Sequence, residues 1–163
     1  MKEILLAFPW LEDPSLEKPT FSLESFLEVE RYRLVTACNA QDTLGYRKTF
    51  QALLEMRQVA GSIPFLVLLI PDEFQVEDDL WNTLEERGPP VAVDRDLPRR
   101  LLGEWLTEQG ISFLDLLPVL RAVSLGPDGR RHVYHLQDTH LNTRGNRVVG
   151  EALAEWLKPF LGR

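Results

Sequence analysis

Phe65 to Ile70 is apolar without a break and is bracketed by Pro64 and Pro71. Such a run reads as a strand buried on both faces and central in a parallel sheet. Glu3 to Phe8, ended by Pro9, has the same character. Ile111 to Leu114 reads as a short strand after Gly110, and the β-branched stretch Arg33 to Cys38 as another. Between these runs the apolar positions recur at helical spacing. Ser22 to Arg31 makes a short helix capped by Ser22, with Phe21, Phe26, Leu27 and Tyr32 inward. Leu44 to Ala60 carries a stripe of Tyr46, Phe50, Leu53, Leu54, Arg57 and Val59, and Gly61 stops it.

Phe74 to Arg87 is expected as one helix with Val76, Leu80 and Leu84 inward, ended at Gly88-Pro89-Pro90. Leu97 to Gln109 begins with Pro98 in its first turn and turns Leu101, Leu102, Trp105 and Leu106 inward. Asp115 to Val123 is helical, and Gly126-Pro127-Asp128-Gly129 is a turn opening an excursion that ends at His132-Val133-Tyr134. Asn142 caps a last helix, Thr143 to Phe160, whose inner side is Val148, Val149, Ala152, Leu153, Trp156 and Phe160. Strands alternating with helices imply an α/β domain with a parallel sheet and helices on both faces. The chain, 1–163, reads as a single domain, with Pro9 to Ser22 the one linker-like tract.

Composition narrows the partners more than the chemistry. The net charge is −7 and the pI near 5.0, which argues against a nucleic-acid partner. The longest apolar run is far short of the ~20 residues that cross a bilayer, so no membrane span is expected. The first residues are too short for a signal peptide, which places the chain as written in the cytoplasm unless the native product starts upstream. Cys38 is the only cysteine, so no intrachain disulfide forms.

The candidate chemistry lies in Asp138-Thr139-His140. A carboxylate two residues before a histidine, on one loop, holds the ring in one tautomer and stabilises its protonated form. From the residues alone a solvated loop with an Asx-type turn and a surface histidine is the simpler reading. His132, His135, Asp138 and His140 together suggest a metal site, but their spacing matches no familiar ligand pattern. Alternate side chains of an extended segment also point apart, so neither a metal nor another cofactor is expected.

Asp138-Thr139-His140 followed by Leu141-Asn142 and Gly145 resembles the last motif of the SGNH (GDSL-type) hydrolases. The closest likeness is to the branch related to alginate O-acetyltransferases, which spaces the pair as Asp-x-His. The resemblance runs back through Ile111 to Pro118 and Pro64 to Glu73, covering about the C-terminal two thirds of the chain. It implies a three-layer α/β/α, flavodoxin-like fold, here incomplete at its N-terminal edge. It also implies an ester hydrolase or O-acyltransferase acting on a small-molecule or carbohydrate ester, with His140 as base and Asp138 orienting it. The family's Gly-Asp-Ser nucleophile block is missing. The serines are Ser15, Ser22, Ser25, Ser62, Ser112 and Ser124, and none has the family's position. Asn39 in Ala37-Cys38-Asn39-Ala40-Gln41-Asp42 is the candidate oxyanion donor, although a turn residue before the Leu44 helix is the preferred reading. Cys38 reads as a small buried hydrophobe rather than a substitute nucleophile. Trp81, Trp105 and Trp156 read as core, and Trp10 as a residue over the sheet edge.

The chain is therefore expected to be a divergent or N-terminally shortened member of that family. The alternative is a catalytically inactive SGNH-like fold that binds a ligand or partner. A missing first strand would leave a sheet edge bare, so a homodimer through that edge is expected, unless Pro9 to Arg31 covers it.

Overall fold

The computed structural model of the protein describes residues 17–41 and 44–161. It is mixed α/β. The helices are α1 (Leu23–Ala37), α2 (Leu44–Ala60), α3 (Glu73–Val76), α4 (Asp78–Glu86), α5 (Leu97–Glu108), α6 (Leu117–Arg121) and α7 (Thr143–Leu161). The strands are β1 (Leu66–Leu69) and β2 (Ser112–Asp115). They pair in parallel, Leu66 opposite Ser112 and Leu69 opposite Asp115. Parallel neighbours need a long crossover, and α3, α4 and α5 supply it.

Two apolar clusters hold the elements. Phe26, Leu27, Leu34 and Cys38 of the first helical segment meet Phe74, Leu80, Trp81 and Leu84. Val76, Leu116, Leu117, Leu120, Val133 and Tyr134 form the second, with Leu68, Leu114, Val148, Val149 and Ala152 packed against it. Consecutive strand residues point to opposite faces. Leu114 accordingly enters the second cluster, while the ring of Phe113 lies 3.5 Å from where a Cβ on Gly103 of α5 would stand. Helix α5 thus covers one side of β2 and the α6–α7 pair the other.

Several expectations change. Arg33 to Cys38 is not a strand: α1 runs on to Ala37. Leu27, Glu30, Leu34 and Cys38, three or four residues apart, stay on one buried face, and Thr36 donates its hydroxyl to the Tyr32 carbonyl at 2.8 Å, as helical threonines do. Tyr32 and Phe21 are exposed rather than inward. Ser22 does cap the helix, accepting from the Ser25 amide at 3.2 Å.

The helix expected over Phe74 to Arg87 is broken at Glu77, whose backbone is extended (φ −98°, ψ 120°). Val76, Leu80 and Leu84 are buried all the same. Arginines take up the groups that the break releases. Arg121 donates to the Gln75 carbonyl at 2.6 and 2.9 Å, and Arg131 to the Val76 carbonyl at 3.2 Å. The Glu77 carboxylate in turn receives the Arg131 backbone amide at 2.9 Å. A buried backbone carbonyl needs a partner, and these contacts let the chain turn without losing one.

The α2 stripe is only half used. Tyr46, Phe50 and Leu53 are half-buried, with Phe50 stacked on Trp105 at 4.6 Å. Val59 is 89% exposed. It lies nine residues from Phe50, about 180° around the helix, so it cannot share the face that meets α5. Gly61 ends the helix in the left-handed region at φ +59°. Among the described residues β1 pairs with β2 alone. Its expected central place and the strand over Glu3 to Phe8 depend on residues outside the described ones, as does Trp10.

No helix among the described residues is long and apolar enough to cross a membrane.

Candidate functional site

Tyr134 and Leu141 form an antiparallel bridge that closes a short loop. The amide of His135 donates to the His140 carbonyl at 2.9 Å, and that of Asn142 to the Val133 carbonyl at 3.0 Å. Asp138 and His140 sit on this loop, with Gln137 at positive φ (51°) just before them. Asn142 secures its exit. Its Oδ1 accepts from the Gly145 amide at 3.0 Å, and its Nδ2 donates to the carbonyls of His132 and Tyr134 at 2.8 and 2.9 Å. Gly145 has no room for a side chain: a Cβ there would stand 2.1 Å from the Val133 carbonyl oxygen.

Asp138 Oδ1 lies 2.6 Å from His140 Nδ1, and the same oxygen accepts the His140 backbone amide at 3.1 Å. The carboxylate is mostly buried, whereas the imidazole is 81% exposed. Burial pushes the Asp138 carboxyl up. Hydrogen bonds from the His140 ring, the Thr20 hydroxyl and the His140 amide outweigh it and leave the group below its usual value. With Nδ1 turned to the acid, Nε2 is the nitrogen left to act on a reactant.

The loop is tied down on two sides. Tyr134 donates its hydroxyl to the Pro71 carbonyl at 2.7 Å, just beyond the carboxyl end of β1. From the other side, the amides of Thr20 and Phe21 donate to the carbonyls of Leu136 and Gln137 at 3.1 and 3.3 Å. Glu17 pairs with Nδ1 of His135. Sequence reasoning assigned no role to Glu17, Thr20 or the Tyr134 hydroxyl. A contact spanning 118 positions, as between Glu17 and His135, leaves no local pattern to read.

The other candidates lie elsewhere. His132 pairs with Asp128 (2.8 Å), His135 with Glu17, and His140 with Asp138, so each histidine has its own carboxylate. Among the described residues no group of three or more His, Cys, Asp or Glu is arranged to hold a metal ion. Asn39 accepts the Gln41 amide at 3.0 Å in an Asx turn and bridges to Val93, the turn role favoured by its sequence context. Cys38 is fully buried, and burial pushes its thiol up to about 12, which keeps it protonated and unreactive. Ser112 starts β2 and Ser62 precedes β1, both at the sheet's amino edge, while Ser22 donates to the Ser25 hydroxyl at 2.9 Å.

Beneath the loop lies an acidic set that the sequence did not announce. Glu30 is fully buried and Glu73 is 5% exposed. Both Glu30 oxygens and Glu73 Oε2 have no hydrogen-bond partner among the described residues. Burial, only partly offset by Arg33, raises the Glu30 carboxyl to about 7. Burial raises Glu73 to about 8, with Arg130 opposing and Glu30, Glu77 and Asp79 adding to the rise.

No family model, curated protein or solved structure matches the chain.

Proposed function

We propose that the protein is an SGNH-type ester hydrolase or O-acyltransferase, with His140 as general base and Asp138 as the residue that orients it. The observation carrying this reading is the 2.6 Å contact between Asp138 Oδ1 and His140 Nδ1, on a loop rooted at the carboxyl end of a parallel strand. Ligand chemistry in α/β sheets collects at that end. The three-layer fold belongs to the same proposal. It is supported by the parallel β1–β2 pair and by α5 and α7 lying on opposite sides of β2.

In this reaction a hydroxyl attacks an ester carbonyl and His140 Nε2 accepts its proton. The largely buried, hydrogen-bonded Asp138 anion stabilises the imidazolium, and the proton then passes to the leaving alcohol. The proposal assigns the proton-handling half only; Ser112 and Ser62, at the opposite sheet edge, are not its nucleophile. Hydrolysis of short p-nitrophenyl esters by the wild type, abolished in His140→Ala, is the expected result, and a fluorophosphonate probe would mark the nucleophile. No turnover in either protein and no labelling would overturn it in favour of a binding module on the same fold.

A further inference from the structure

A cleft of about 220 Å³ opens at the carboxyl ends of β1 and β2, beside the start of α5. Leu69, Pro71, Leu102 and Leu117 wall it, and Arg99 and Asp115 stand among its lining residues. Pockets that take drug-sized ligands measure about 300–1,000 Å³, so this cleft suits a smaller molecule.

The polar side chains choose the ligand's head group. Asp115 has both oxygens engaged: Oδ1 accepts the Leu117 amide at 3.0 Å and Oδ2 accepts from Nε of Arg99. Arg99 spends only Nε on that pair. Its two terminal nitrogens have no hydrogen-bond partner among the described residues, and its side chain is about half-exposed. Each Asp115 oxygen thus already accepts one hydrogen bond, while the terminal nitrogens of Arg99 are unspent donors. A planar carboxylate matches a guanidinium fork in two parallel hydrogen bonds. Asp115 next to the fork disfavours a dianion such as phosphate more than a monoanion.

We infer that this cleft binds a short-chain carboxylate, its apolar chain on Leu69, Pro71, Leu102 and Leu117 and its carboxylate on the terminal nitrogens of Arg99. Apolar burial holds the chain, and the fork selects the acid over the alcohol of equal length. The site does not involve His140 and stands or falls apart from the acyl-transfer reading.

The test is a titration of ¹⁵N-labelled protein with hexanoate, hexan-1-ol and inorganic phosphate, following backbone amides. Hexanoate is expected to give saturable shifts at Ile70, Leu102 and Leu117 and to bind more tightly than hexanol. Arg99→Gln, at a half-exposed position that leaves the core intact, should weaken hexanoate about ten- to a hundredfold and leave hexanol unchanged. Arg99→Lys, which keeps the charge without the fork, should fall between. Leu102→Trp should fill the cleft and remove both ligands. Absent saturation, equal hexanoate affinity in Arg99→Gln, or tighter binding of phosphate would each overturn the inference. None of these readouts requires turnover.

Discussion

One oxygen of Asp138 serves His140 twice: Oδ1 meets ring Nδ1 at 2.6 Å and the backbone amide at 3.1 Å. The acid therefore fixes both the ring and the peptide that carries it. Asp138→Ala should let the ring sample both neutral tautomers, visible as a change in its two ¹⁵N shifts, and reduce ester turnover by about a hundredfold or more. An unchanged tautomer ratio in the variant would separate the loop's geometry from the acid.

The same contacts predict a pH effect. Burial opposes the Asp138 anion, but hydrogen bonds from His140 and Thr20 prevail and lower its pKa. A depressed carboxyl contributes stability above its unfolded value, near 3.8, and loses it as pH falls through the folded value. Asp138→Asn should show a shallower loss of stability at acid pH than wild type, and Thr20→Val should raise the Asp138 midpoint measured by ¹³C NMR. An Asp138 midpoint indifferent to Thr20 would remove the threonine from the site.

Glu30 and Glu73 work in the opposite sense. Their folded values, about 7 and about 8, lie above the unfolded 4.5, so the native state holds protons that the unfolded chain has released. Stability should therefore decline as pH rises from about 4.5 to about 8 and level off beyond. Glu30→Gln, neutral and nearly isosteric, should be close to wild type at pH 5 and on the order of 2 kcal/mol more stable at pH 8. Urea unfolding at the two pH values reads this directly; equal differences at both would argue that Glu30 is ionised throughout.

Tyr134 anchors the loop to the end of β1 through its hydroxyl, which meets the Pro71 carbonyl at 2.7 Å in a buried setting. Tyr134→Phe keeps the ring and strands that carbonyl, a loss of about 1–3 kcal/mol. If the anchor also sets His140 against the sheet, ester turnover should drop in the folded variant. Wild-type stability in Tyr134→Phe would show the bond to be dispensable.

Gly145→Ala should be among the most damaging single-atom changes in the protein. The new methyl would overlap the Val133 backbone carbonyl at 2.1 Å, and a main-chain oxygen in a closed loop cannot step aside cheaply. Overpacking of this kind costs about 1–3 kcal/mol. A thermal midpoint within one degree of wild type would refute it.

The sequence by itself determined what depends on near neighbours. Helical periodicity placed α2 over Leu44–Ala60, and cap chemistry placed Ser22 and Asn142 at helix starts. The Asp138–His140 contact is likewise local, since the two residues sit on one turn. Tertiary structure decided everything that distant residues must agree on. It broke the expected Phe74–Arg87 helix at Glu77, because arginines from beyond Val119 accept the role of partner to the freed carbonyls. It extended α1 through Val35 and Thr36, because burial of Leu34 and Cys38 outweighs a weak strand preference. It also chose Thr20, Glu17 and Tyr134 as the supports of the loop. A hydrogen bond between residues a hundred positions apart imposes no periodicity on either; it exists only once burial has brought the two segments together.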